Sequence, residues 1–335
     1  MATPFSRDKK VTEKALGNAS FVSLSEARIL AFEFRKSLAL GIAPAKKITF
    51  GEIAKEVLAS KSHLRTSTAS QMESHLRHCA PLHDRQIGSL SVDDCTALLG
   101  PLYASVPRVA DRVRALMADV FSAAKVRGHF TGDNPCIWKG TLDQILPRRP
   151  ALVNHAALPH AEAPALYRAL MSEGVVGRAA QFLMLTALRK MEAVEARWAE
   201  IDGDVLTVSA ERMKTGKSHR VPLGATAIAI LNHQRSLGEI SDLVFTSPRG
   251  IGKPLAPSAV NDMLKRLGIA GTVHGLRTTF ATWAQENTDF DGALIEQALA
   301  HQVGNTTTRA YLRSDNLDRR RQLMIEWASY LTGRA

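Results

Sequence analysis

A histidine and an arginine three positions apart, in His274-Gly275-Leu276-Arg277, form the most suggestive pair in this 335-residue chain. Residues three apart on a helix share a face, so an imidazole and a guanidinium there can converge on one ligand. A second cation, Arg189, lies in Leu185-Thr186-Ala187-Leu188-Arg189-Lys190-Met191-Glu192, at the seam of two helical runs where a charge can emerge from a packed scaffold. Lys214 enters the turn Glu211-Arg212-Met213-Lys214-Thr215-Gly216-Lys217 from the end of a strand, on a hairpin able to swing its ammonium toward a ligand. His301 ends the apolar run Ile295 to Ala300, and Thr308-Arg309-Ala310-Tyr311-Leu312-Arg313 sets a phenol between two arginines. Singly, each has a plainer reading: a solvated helix, a salt-bridge partner, a turn lysine, or a tyrosine filling a core.

The elements that must position these groups follow from periodicity. Ser23-Leu24-Ser25-Glu26 is a capping box ahead of Ala27, Leu30, Ala31, Phe34 and Leu38, with Gly41 and Pro44 as the stop. Thr49-Phe50-Gly51-Glu52 repeats the box with Ile48 and Ile53 as a staple, and opens a run of helices to about residue 145. Pro147-Arg148-Arg149-Pro150 resists both helix and burial and reads as an extended basic linker. Beyond it, helices are expected at about 161–173, 177–198, 225–236, 257–267, 274–287, 292–300 and 316–331. Strands are expected at Val205–Val208, Arg220–Leu223 and Leu243–Phe245.

Composition narrows the classes. About two domains are expected at roughly 150 residues each. With 45% hydrophobic and 22% charged residues, the chain is neither disordered, collagen-like nor disulfide-dense. No apolar run reaches the roughly 20 residues of a membrane span, and MATPFSRDKK carries charge where a signal peptide carries its apolar core, so a cytoplasmic protein is expected. Cys79, Cys95 and Cys136 form no C-x-x-C pair and read as buried, inert thiols; His75, His78, Cys79 and His83 lack a metal-ligand spacing, and no metal is assigned. A net charge of +11 favours a polyanionic partner through counterion release, without distinguishing DNA, RNA or anionic lipid.

Arg189, Lys214, His274, Arg277, His301 and Tyr311, in that order, resemble the catalytic set of the tyrosine recombinase (phage integrase) family. The resemblance extends to the T-A-L-R-K-M-E-A-V-E-A-R-W-A-E-I-D block, the M-K-T-G-K-S-H-R-V-P-L hairpin and the V-F-T-S-P block. A-L-A-H-Q, R-A-Y-L-R and the R-R-Q-L-M-x-x-W-A-x-Y-L tail are similar to the integrases of prophages, satellite phages and genomic islands. The fold this implies is mainly α with a small β-sheet. It comprises a remnant of an arm-binding domain with its connecting helix (1–46), whose DNA-reading sheet is missing, and a helical core-binding domain (47–145). A basic linker (146–154) joins these to a mixed α/β catalytic domain (155–335), the two main domains clamping a duplex. The shortened N-terminus suggests a naturally short integrase or a truncated reading frame.

The resemblance implies a site-specific recombinase that integrates or excises a mobile element through a 3′-phosphotyrosyl intermediate, with no cofactor. Tyr311 is the implied nucleophile, Arg189 and Arg277 the phosphate clamp, Lys214 the general acid for the 5′-oxygen, His274 a proton-transfer partner and His301 a hydrogen-bond donor to the phosphate. Arg148, Arg149, Lys217, Arg220, Arg309 and Arg313 are the expected DNA contacts. Implied partners are double-stranded DNA attachment sites and further copies of the chain in a tetramer on DNA, joined through the helix at 316–331. A host DNA-bending protein and an excisionase stand as further candidates. Two departures are visible: Ala187 stands where the family usually has a glycine, and the His301 to Tyr311 interval of ten is one longer than its commonest spacing. A type IB topoisomerase-like activity, a non-catalytic DNA-binding relic and an unrelated nucleic-acid-binding fold are the competing readings.

Overall fold

A computed structural model describes residues 2–7, 10–39, 48–61, 66–147, 156–238, 241–250, 252–301 and 314–333. The chain divides into two compact units, residues 1–152 and 153–335, each with its own apolar core.

The first unit begins with β1 (Ala2–Arg7) paired antiparallel to β2 (Lys10–Ala15), from Ala2 opposite Ala15 to Arg7 opposite Lys10. A sheet therefore precedes the first helix where none was expected, because a ladder is built from main-chain bonds that mixed side chains do not announce. In α1 (Leu24–Ala39) the Glu26 carboxylate accepts from the Ser23 amide at 2.8 Å. The boxes Thr49–Glu52 and Ser91–Asp94 cap α2 (Phe50–Ser60) and α4 (Val92–Ser105), with α3 (Thr66–His78) between them and α5 (Pro107–Val126) after. Capping satisfies amides that have no intrahelical partner, which is why these starts are legible in the sequence. Phe50, Ile53, Leu99, Met117 and Phe121 fill the core, together with all three cysteines. Burial pushes the Cys79 thiol up to about 12, so it stays protonated and inert at neutral pH.

The second unit contains α6 (Ala163–Ala169), α7 (Gly174–Thr186), α8 (Lys190–Val194), β3 (Ile201–Asp202), β4 (Val205–Val208) and β5 (His219–Pro222). It continues with α9 (Ala225–Ser236), α10 (Ala259–Arg266), α11 (Gly275–Asn287), α12 (Gly292–Ala298) and α13 (Leu317–Thr332). The strands form one antiparallel sheet, ordered β3-β4-β5.

Three expectations are corrected. The helix read over 177–198 breaks into α7 and α8, because Ala187 takes a left-handed φ of 49°. Leu243–Phe245 is not a strand: Val244 and Phe245 are buried, and Leu243 forms an isolated bridge to Arg197; a short apolar run does not reveal which it is. Lys214 is not at a strand end, since β4 stops at Val208.

Helix α13 lays its apolar face into its own unit. Trp327, 1% exposed, donates its indole N–H to the Met184 carbonyl at 2.7 Å and meets the rings of Phe280, Trp283 and Tyr330. Its outward face carries Asp318, Arg319, Gln322, Ile325 and Glu326. No helix among the described residues is long and apolar enough to cross a membrane.

Candidate active site

Arg189 is the residue before α8, so its backbone is extended while its side chain turns onto the first helical turn. Its amide and its Nη1 each donate to the Glu192 carboxylate at 3.1 Å, and Nη2 donates to the Ala300 carbonyl at 3.4 Å. Glu192 is nearly buried, so this pair is shielded from solvent far better than a surface bridge.

Arg277 lies in the first turn of α11 and is 4% exposed. Nη1 donates to the Ala187 carbonyl, and Nη2 donates to the Leu299 carbonyl at 2.5 Å and meets His301 Nε2 at 3.2 Å. The consecutive carbonyls of Leu299 and Ala300, just past α12, thus each take one of the two guanidiniums, with Ala300 in a left-handed conformation (φ 52°). A guanidinium has five N–H donors; both on Nη2 and one on Nη1 are engaged, Nε is buried without a partner among the described residues, and the second Nη1 hydrogen is left over. Burial, with Arg189 alongside, lowers Arg277 to about 10, only partly offset by Glu192 and Glu296; it remains a cation at neutral pH.

His301 Nδ1 sits 2.7 Å from the Glu296 carboxylate. A carboxylate only accepts and a guanidinium only donates, so these partners assign the ring proton to Nδ1 and leave Nε2 accepting from Arg277. In this arrangement His301 supports the guanidinium; donation to a phosphate requires a second ring proton or a turn of the ring. His274 is exposed at the N-terminus of α11, one turn from Arg277 as its spacing predicts. Lys214 is exposed in the connection after β4.

A cavity of about 260 Å³ lies beside His301, lined also by Lys217, His219, Gln297, Asp315 and Arg320 among others. Arg220, half exposed, pairs with Asp315 at 3.3 Å, and the buried Arg320 donates to the Arg220 carbonyl at 2.6 Å. His219 was not singled out in the sequence, where it is simply an inward position of a short strand. Burial and the Arg320, Arg277 and Arg189 guanidiniums lower it to about 4, so its ring is neutral. Glu192, by contrast, was findable as the acid three positions after Arg189. Tyr311, Arg309, Arg313, Arg148 and Arg149 lie outside the described residues.

Residues 156–317 match the model of the phage integrase family, and residues 50–141 match that of the phage integrase central domain. Prophage integrase IntZ of Escherichia coli K12 is 32% identical, over 96% of this chain and 84% of that protein. The integrase of Shigella phage Sf6 is 29% identical, over 97% and 88% respectively. Among solved structures, a lambda integrase dimer bound to a COC′ core site superposes with a TM-score of 0.61 at 20% identity, over 80% of this chain and 95% of that one. A lambda integrase tetramer bound to a Holliday junction gives 0.62 at 18% identity, over 90% and 94%. The architecture is therefore that of the tyrosine recombinases. The chain belongs to the phage integrase family and is a tyrosine-type site-specific recombinase of its prophage integrase subgroup.

Proposed function

We propose that this chain recombines double-stranded DNA at attachment sites, with Arg189, Lys214, His274, Arg277, His301 and Tyr311 as its catalytic residues. The observation that carries this reading is the pairing of Arg189 and Arg277 across consecutive backbone carbonyls, with His301 bonded to Arg277. Two forked cations held by protein acceptors, with donors still to spare, suit the non-bridging oxygens of a phosphodiester. In cleavage, the Tyr311 oxygen bonds to phosphorus and the bond from phosphorus to the 5′-oxygen breaks. The Tyr311 proton passes to His274, and Lys214 supplies a proton to the departing 5′-oxygen. The phosphotyrosyl ester keeps the energy of the phosphodiester, so a second strand's 5′-hydroxyl reverses the step.

We assign residues 47–145 to core-site binding, 146–154 to a basic linker and 155–335 to catalysis, with 1–46 as the end of an arm-binding domain. Lys217 and Arg220, with Arg148, Arg149, Arg309 and Arg313, are the proposed phosphate contacts. Arg220 can exchange its solvent-exposed Asp315 partner for a phosphate at little cost. Several copies assembling on DNA, with a host DNA-bending protein and an excisionase setting direction in the cytoplasm, complete the reading. The test is incubation of nicked duplexes from the DNA flanking the gene with the unaltered protein and with Tyr311→Phe. A covalent adduct that survives detergent, formed by the unaltered protein alone, is the expected result; an adduct formed equally by Tyr311→Phe would remove Tyr311 from its role.

A further inference from the structure

We propose that Arg212 is a positioning residue that holds the segment carrying Lys214 against the helix that follows Arg189, and so sets where the lysine delivers its proton. The inference rests on the general-acid role proposed for Lys214.

Lys214 lies between β4, ending at Val208, and β5, beginning at His219, in a connection with no ladder of its own. Its anchors are side chains. Arg212 Nη1 donates to the Glu200 carboxylate, while Nη2 donates to the carbonyls of Met191 at 3.2 Å and Glu192 at 3.0 Å. The Arg212 side chain is 15% exposed and that of Glu200 10%, so the pair is largely shielded from water. Met213 beside it is buried, and the amides of Arg212 and Met213 both donate to the Ser209 carbonyl at 3.1 Å. Lys214 is the next residue, and it is exposed.

The acceptors explain the choice of side chain. The last carbonyls of a helix lack intrahelical donors, and α8 is so short that Glu192 is among them. A planar fork reaches those carbonyls from one Nη and a carboxylate from the other, a span that the single nitrogen of a lysine does not match. Glu192 is also the acid that holds Arg189. One turn of α8 therefore takes Arg212 on its carbonyls and Arg189 on a side-chain carboxylate, fixing the base of the lysine segment relative to the phosphate clamp. With three acceptors already engaged, Arg212 is committed to this anchoring.

Single-turnover cleavage of a nicked duplex tests the assignment, using Arg212→Gln combined with Glu200→Gln so that no shielded carboxylate is stranded. Lys214→Ala and the unaltered protein are run alongside, on an ordinary duplex and on one with sulfur in place of the bridging 5′-oxygen. A thiol ionises near about 8.5, far below an alcohol, so the sulfur leaves without a proton and bypasses the general acid. Misplacing the lysine by an ångström should slow the ordinary reaction roughly 100-fold. On the sulfur duplex both variants should return to within about threefold of the unaltered protein, as a bypassed acid requires. Arg212→Lys, which keeps the charge and loses the fork, should show the same pattern and serves if the double variant folds poorly. Rescue of Lys214→Ala without rescue of either Arg212 variant overturns the positioning role, as does an Arg212 variant with undiminished cleavage of the ordinary duplex. If Lys214→Ala is itself not rescued, the general-acid reading fails first, and this inference fails with it.

Discussion

Arg277 spends three donor contacts inside the protein, whereas the Arg189 side chain keeps about a fifth of its surface in solvent. The first is preset before DNA arrives and the second can still adjust. Arg277→Ala should lower single-turnover cleavage by about 100- to 1000-fold, the usual cost of one donor to a developing oxyanion. It should also cost about 1–3 kcal/mol of stability, because the Ala187 and Leu299 carbonyls lose their partner. Cleavage rates read beside DNA affinity and thermal unfolding separate the two effects. His219 predicts a pH dependence. Its folded value near 4 lies below the unfolded value of about 6.5, so its contribution is fully present above pH 6.5 and is lost as pH falls toward 4. The amplitude is on the order of 3 kcal/mol, and His219→Gln should flatten that window of the stability profile measured by denaturant unfolding.

At the scale of elements, the break between α7 and α8 is the decisive local event, because it delivers Arg189 to the site. Ala187 pays for the left-handed turn with roughly 1–2 kcal/mol of steric strain, against about 0.8 kcal/mol for its buried methyl group. Ala187→Gly should therefore stabilise the protein by up to about 1 kcal/mol in chemical denaturation, with cleavage retained. Where a side chain caps a helix, the pattern announces it, as Thr49 with Glu52 and Ser91 with Asp94 do. The break at Ala187 carries no capping side chain, so the sequence marks a seam near Arg189 without fixing the residue at which the chain turns. Its conformation is supported by the guanidinium of Arg277, ninety residues away in sequence.

Across the whole molecule, the two cores share no residue, and the second closes on its own C-terminal helix through Trp327, Leu323 and Leu331. A fragment of residues 153–335 should accordingly unfold in a single cooperative transition by calorimetry. The charge of +11 should make DNA affinity salt-dependent, with a slope set by the number of phosphates contacted. Replacing Lys217 or Arg220 with alanine should lower the slope of log K against log salt by about 0.9 each, with little dependence on sequence.

The sequence by itself determined the residue types, their order and most helix boundaries, because periodicity and capping are local and each leaves a mark within a few positions. Arg189, His274, Arg277 and His301 were legible as candidates on that basis. Only the tertiary structure decided that Arg189 and Arg277 lean on neighbouring carbonyls beyond α12, and that His301 accepts from Arg277. It alone showed His219 as a buried imidazole among guanidiniums, and Arg212 bonded to the carbonyls of Met191 and Glu192. Those relations join groups about twenty to over a hundred positions apart, several of them through backbone acceptors whose direction depends on the packing of every element between them. Backbone carbonyls look alike at every residue, so no sequence pattern marks the ones that a buried arginine will find.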